Sequence, residues 1–432
     1  MTRRTRVLGL STVCVLSYAA SAAAQAKPAE AAAPEAAAAT TTTTTTTTTT
    51  EPAPPLAPAE AAPPAPAPPV EPTAAPAAAP AAFAPLKIET PNASLKLGLL
   101  AQPQFEAIGN ADPSHSGRSY NLFVRRIRLL AGGTLFGKFE YFFDTDSPNL
   151  FKGSAEGVKS APLFVQDAYI TFKAADDYFK IDAGYMLPPL AHNAVQGAGT
   201  LYGLDYFSNS FRHANAFLST GDVGRDAGVQ LRGLVADGHV EYRLGMFQGL
   251  RRPRSATEIE SRNFPRVAGR IQINVLDPET GFFYAGTYLG TKKVLSFGAS
   301  YDTQNDYHHW SVDGFLDLPL GPGTLTAQAN FVKWNGGDFV TALPNQTAFM
   351  AEAGYRFQDA QISPILRFEY RNASTATVAT PDEARYGLGL AYWPYGHNVN
   401  LKAFYTRIQP KAAPAPLDGY NQFQLQWQLY FY

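Results

Sequence analysis

The feature that most constrains this chain is an alternation with a period of two, repeated from about residue 94 to Tyr432. In NQFQLQWQLYFY, residues 421–432, Phe423, Leu425, Trp427, Leu429 and Phe431 alternate with Gln422, Gln424, Gln426 and Gln428, and Tyr432 is one residue beyond the set. In VEYRLGMFQ, Val240, Tyr242, Leu244 and Met246 face one way, and Glu241 and Arg243 the other. In RVAGRIQINV the apolar face is Val267, Ile271, Ile273 and Val275, with Gly269 among them, opposite Arg266, Arg270, Gln272 and Asn274. In TLTAQANF, Leu325, Ala327, Ala329 and Phe331 oppose Thr324, Thr326, Gln328 and Asn330. Such a period with one apolar face belongs to half-buried strands, and no long helical pattern competes with it.

Connections between these strands are of two kinds. Short ones include 236–238, 358–360 and 394–397, and long polar ones include 109–120, 147–161, 188–224, 249–265, 335–346, 372–383 and 409–420. Short and long alternate along most of the chain, and aromatic residues cluster near strand ends, the pattern of a transmembrane antiparallel β-barrel. A soluble β-sandwich shows the same alternation, but so many apolar faces would need one common interior. The count is sixteen strands, with cores at 94–106, 121–132, 138–146, 163–173, 178–187, 225–235, 239–248, 266–276, 293–302, 308–318, 324–334, 347–357, 362–371, 385–393, 398–408 and 421–431. Sixteen leaves an aqueous lumen. An open edge in lipid would strand unpaired backbone groups, so the last strand is expected to close on the first. The segment 282–293 reads either as a long periplasmic connection or as part of a strand.

Upstream, Arg3, Arg4 and Arg6 precede an apolar run and the small-x-small tripeptide Ala24-Gln25-Ala26, which reads as a secretory signal over residues 1–26. The sole cysteine, Cys14, lies within it, so disulfide chemistry is not expected of the mature chain. Residues 27–85 are almost entirely Ala, Pro, Thr and Glu, with threonine at every position from 40 to 50. A segment with so little to bury is expected to be a disordered periplasmic leader. Residues 86–432 then form the barrel domain, with equal numbers of basic and acidic residues. That neutrality argues against a nucleic-acid partner. No apolar run outside the signal is long enough for a spanning helix.

The stretches RRIRLLAGGTLFGKFEYFFDTD (125–146), VQDAYITF (165–172), IDAGYMLPP (181–189), GRDAGVQLRG (224–233) and the final LQWQLYF resemble, in order, the phosphate-selective porin O/P family. The resemblance implies a homotrimeric sixteen-stranded outer-membrane porin whose third long loop, here 188–223, folds into the lumen as a constriction loop. It also implies lumen arginines and lysines that pass phosphate or other oxyanions. Small hydrophilic solutes and outer-membrane lipid are the expected partners, with no cofactor.

Taking each strand's polar face as the lumen, the pore-lining candidates are Arg126, Arg128, Arg232, Arg243, Arg266, Arg270 and Arg367. Glu241–Arg243 and Arg367–Glu369 read as struts of the wall, whereas Arg266 and Arg270 have no acidic residue on their own strand face. Basic residues outnumber acidic ones in this reading, so a modest anion preference is expected. Arg225 and Asp226, predicted to point to opposite faces, mark a corner where the constriction loop ends. Arg251, Arg252, Arg254 and Arg262 belong to an external loop. The seven histidines show no metal-ligand spacing, and neither G-x-S-x-G nor H-E-x-x-H occurs, so an enzyme is not expected. The competing function is an adhesin or a cell-wall-tethered structural barrel.

Overall fold

The computed structural model describes residues 85–110, 117–153, 161–208, 224–250, 264–341, 343–374, 382–412 and 418–432. The signal, nearly all of the leader, the basic cluster at 251–262 and residues 209–223 of the third long connection lie outside them. The strands are β1 (Leu86–Thr90), β2 (Ala93–Gly109), β3 (Arg118–Leu135), β4 (Phe139–Asp146), β5 (Phe164–Ala175) and β6 (Phe179–Met186). Then come β7 (Asp226–Val235), β8 (Val240–Phe247), β9 (Arg266–Asn274), β10 (Val294–Gln304), β11 (Tyr307–Leu320) and β12 (Gly323–Asn335). The last five are β13 (Gln346–Phe357), β14 (Ile362–Ala373), β15 (Asp382–Tyr392), β16 (Val399–Ala412) and β17 (Tyr420–Phe431).

Each strand from β2 to β17 pairs antiparallel with its neighbours in the chain, and β17 returns to β2, so sixteen strands form a closed barrel. Closure explains why the amide face of the last strand is there. Gln426 Nε2 donates to Gln104 Oε1 at 2.9 Å, Gln102 Nε2 donates to Gln428 Oε1 at 2.8 Å, and Gln424 Nε2 donates to Glu106 Oε2 at 3.0 Å. The interior side of the seam is thus a ladder of side-chain hydrogen bonds. On the outer side Trp427 is 59% exposed, and Leu425 and Leu429 lie beside it.

Along much of the wall polarity is inverted relative to a soluble protein, although apolar residues such as Val332, Trp334 and Met350 are also buried inside. In β9, Arg266, Arg270, Gln272 and Asn274 are buried while Ile271 and Ile273 are exposed. In β7 and β8, Gln230, Arg232, Glu241 and Arg243 are inside, while Val229, Leu244 and Met246 are outside. A wall with apolar side chains outward and polar ones inward satisfies its backbone internally and presents hydrocarbon to lipid. Exposed aromatics gather toward both rims, Tyr178, Phe357 and Tyr395 at the short-turn rim and Tyr120, Phe151 and Phe264 at the long-loop rim.

Three details go beyond the sequence reading. The five-residue β1 pairs with the first residues of β2, from Leu86 against Leu97 to Thr90 against Ala93. The β17 ladder stops at Phe431 against Leu99, so β1 covers the part of the β2 edge that β17 leaves open. Tyr432 continues the inward set, meeting Phe142 edge to face at 5.6 Å. Residues 275–293, between β9 and β10, are a connection and not a strand.

The seam is crowded at Gly98, where a Cβ would stand 2.4 Å from the Phe431 carbonyl oxygen. Gly98→Val is expected to lower the temperature at which the folded, heat-modifiable form converts to the unfolded band on a gel. An unchanged conversion temperature would show that the seam tolerates a side chain there.

Candidate functional site

The barrel interior is the candidate site, and many of its charges are arranged as ion pairs, several of which cross between strands. Arg266 Nε and Nη2 donate to both carboxylate oxygens of Asp302 at 2.8 and 2.6 Å, and Nη1 lies 3.3 Å from Asp226. Arg270 grips Asp313 the same way, at 2.6 and 2.7 Å. Arg266 and Arg270, with no acidic residue on their own strand face, are thus nonetheless ion-paired, which corrects their selection as free anion ligands. Their carboxylates stand on β7, β10 and β11, where a reading confined to one strand's own face does not look. The expectation that Arg225 and Asp226 point to opposite faces is corrected too. Both are buried and both are ion-paired, Arg225 with Asp167 at 3.0 Å and Asp226 with Arg266. A register shift in β5 beside Asp167 brings that carboxylate to Arg225.

The remaining candidates are ion-paired as well, across strands, within one strand or to a connection. Arg128 pairs with Asp146 at 2.8 Å and Arg232 with Asp182 at 2.8 Å. Arg243 holds Glu241 at 2.7 Å, and Arg367 holds Glu369 at 2.7 Å and Glu352 at 3.2 Å. Arg126 donates to Gln102 at 3.1 Å and to Asp205 at 2.5 Å. Buried carboxylates outnumber buried ammonium and guanidinium groups among the described residues, the reverse of the basic excess expected from sequence.

Two chain segments occupy the interior alongside these pairs. The first is 187–208, which leaves β6 at the long-loop rim and is almost wholly buried. Its His192 and Asn193 backbone N–H groups donate to Asp313 and Asn330 on β11 and β12. Its carbonyls at Leu201 and Gly203 accept from Lys402 Nζ on β16 at 2.6 and 2.9 Å, and Gly199 accepts from Gln428 on β17 at 2.8 Å. Arg367 donates to the Asp205 and Tyr206 carbonyls at 2.6 Å each. Burial would raise the Asp205 pKa, but the guanidiniums of Arg125 and Arg126 more than offset it and hold this carboxyl below the usual range. Asp205 is thus a fixed anion that ties the segment to β3.

The second is the connection 275–293, entering from the short-turn rim. Arg243 Nη1 and Nη2 donate to its Phe282 and Gly281 carbonyls at 2.7 and 3.1 Å, and Tyr284 Oη donates to Glu241 at 2.7 Å. Farther along, Thr287 Oγ1 donates to Asp317 at 2.6 Å, and Arg356 Nη1 donates to the Leu289 carbonyl at 3.3 Å. Its Glu279 meets His192 at 2.8 Å, and that imidazole lies between the rings of Tyr284 and Phe315, 4.7 and 4.4 Å away. Burial acts to raise the Glu279 pKa, and the facing His192 with hydrogen bonds from Tyr288 and Gln272 brings it below its ordinary value.

The model of the family described as phosphate-selective porin O and P matches residues 104–335, more than half of the chain. The chain belongs to the phosphate-selective porin O and P family. No curated protein matches it in sequence. Among solved structures, the anion-selective porin from Comamonas acidovorans is similar with a TM-score of 0.52 and 12% identity, over 78% of this chain and 100% of that one. The outer membrane channel DcaP of Acinetobacter baumannii gives 0.50 and 12%, over 81% and 100%. Salmonella typhi OmpF, in complex with daunomycin, gives 0.50 and 13%, over 80% and 100%. At these identities the likeness is one of fold. Family and fold together make this porin O and P member an outer-membrane channel.

The sequence reading missed Asp205, Glu279, Asp302 and Asp313. Asp302 had a usable signal, since Ser296, Ser300, Asp302 and Gln304 share one parity on β10 and all four are buried. Asp205 and Glu279 sit on connections, where no alternation says which way a side chain points.

Proposed function

We propose that this channel passes small hydrophilic solutes with a modest preference for anions, phosphate among them. The observation that carries the reading is the closed sixteen-strand wall, apolar outside and lined inside by amides and charges. Phosphate and the anion preference come from the family's description, and the wall, in which buried carboxylates outnumber buried cations, limits that preference to a small one. The arginines named above share their forks with carboxylates, and a paired guanidinium shapes the field without offering a free bidentate grip on phosphate. Lys402 and Arg356 are different. They donate to backbone carbonyls at Leu201, Gly203 and Leu289 and form no carboxylate ion pair among the described residues. Their charge is the part of the wall that favours anions.

The same reading includes assembly as a homotrimer, export by a signal at 1–26, a leader at 27–85 and a barrel domain at 86–432. It also takes the connection after β6 as a constriction. The decisive experiment is planar-bilayer recording of purified, heat-modifiable protein. Stepwise ion conductance is expected, with a reversal potential in a salt gradient displaced modestly toward anions and less so after Lys402→Gln. Folded protein that conducts nothing would refute the channel, and a cation-selective wild type would refute the anion preference alone.

A further inference from the structure

A second segment enters the interior from the short-turn rim and meets the one that enters from the long-loop rim. The backbone of 275–293 is joined to 187–208 by three hydrogen bonds: Tyr284 N–H to the Val195 carbonyl at 3.0 Å, Gly197 N–H to Tyr284 at 2.9 Å, and Gly286 N–H to Thr200 at 3.0 Å. Gln196 and Tyr284 form a parallel β-bridge. The approach is so close at Gly286 that a Cβ would stand 2.6 Å from the Tyr202 nitrogen and 2.7 Å from the Leu201 Cα. Only a glycine fits there without moving one backbone or the other.

The connection also spans the lumen. At one side Phe282 stacks on Tyr169 of β5 at 4.4 Å, and the Arg243 guanidinium of β8 lies 4.5 Å from the centre of the Tyr284 ring. At the other side Thr287 and Tyr288 are bonded to Asp317 of β11, and the Thr287 carbonyl meets His397, in the turn between β15 and β16, at 2.9 Å. A peptide that reaches from β5 and β8 to β11 and the β15–β16 turn crosses the path of any solute moving along the barrel axis. Short-turn connections in outer-membrane barrels face the periplasm, so this obstruction stands on the exit side.

We propose that residues 275–293 form the periplasmic half of the channel's constriction, setting its solute size limit and masking Arg243 from permeating anions. This rests on the channel reading above. Arg243 spends two donors on the Gly281 and Phe282 carbonyls and only its Nε on Glu241. Removing the connection frees those two donors to face the lumen, while the barrel wall keeps its β9–β10 ladder from Ser296–Asn274 to Thr303–Val267.

The test replaces residues 278–291 with Asn-Gly and records single channels in planar bilayers. The shortened channel is expected to conduct at least about twofold more than the wild type, because conductance follows the narrowest cross-section. Its reversal potential is expected to move toward anions, and adding Arg243→Gln to the shortened channel should undo the part of that move due to Arg243, the loss of Glu279 accounting for the rest. Conductance equal to wild type in folded, heat-modifiable protein overturns the proposal. Should the shortened chain not assemble, Ala285→Cys in the full chain decides the matter. Its modification by a charged methanethiosulfonate added from the periplasmic side should lower the single-channel current, with unmutated protein as control. Unchanged current in the fully modified protein overturns the proposal. Wild-type conductance tests the channel reading separately, so the two can fail independently.

Discussion

Deleting residues 425–432 is expected to abolish the heat-modifiable barrel altogether. The deletion removes the β17 side of the ladder with β2 from Leu425–Phe105 to Phe431–Leu99, and the β16 pairs from Ala403–Leu425 to Val399–Leu429. Two strand edges would then face hydrocarbon with no partner. Each unpaired backbone group in lipid costs several kcal/mol, so even a handful exceeds the roughly 5–15 kcal/mol by which proteins are stable. The interior loses support as well, since Gln426 and Gln428 no longer close the amide ladder with Gln104 and Gln102, and Gly199 loses its Gln428 donor. Detergent extracts should contain no gel-shifted species. A normally assembled deletion protein would mean that the barrel closes by some other pairing.

The second large effect is expected at Arg266. Its side chain is 1% exposed, and Asp302 beside it is fully buried. Arg266→Gln leaves Asp302 and Asp226 without their cation, and removing one partner of such a pair costs about 3–5 kcal/mol because the other charge stays buried. The variant should unfold at markedly lower temperature or denaturant concentration. Arg266→Met combined with Asp302→Leu should recover much of the loss, since replacing a buried pair by apolar groups of similar volume is close to neutral. In bilayers the surviving carboxylates of the single variant should move the reversal potential toward cations. A single variant as stable as wild type would show that water already shares the load at this site.

The contrast between Arg266 and Trp427 shows where the sequence was sufficient. Alternation is a local property, and a closed membrane wall demands it of every strand, so each strand's apolar and polar faces could be read residue by residue. That is why Trp427 points to lipid and Arg266 to the interior, as the alternation requires. The number of strands follows from the same pattern, because each connection interrupts the alternation. Burial inside, however, brings together residues that alternation does not relate. Asp302 reaches Arg266 across the β9–β10 pairing, and Asp313 reaches Arg270 from two strands away. Whether a lumen arginine is a free anion ligand or one arm of an ion pair depends on register between strands, which tertiary structure alone decides.

The connections mark the other boundary. Their lengths were legible, and residues 188–224 stood out as the longest. A loop's path, though, is chosen by which wall groups it can satisfy, and those groups come from distant parts of the chain. Lys402, Arg367 and Gln428 hold 199–206 from three different strands, and Arg243 and Arg356 hold the 275–293 connection at either end. Nothing in the spacing of Glu279, Phe282 or Tyr284 says that they turn inward. The sequence by itself determined a sixteen-strand barrel and which face of each strand meets lipid, because lipid imposes a period of two on every segment. Only the tertiary structure decided what fills the lumen, because buried backbone must find its hydrogen-bond partners wherever the closed wall happens to present them.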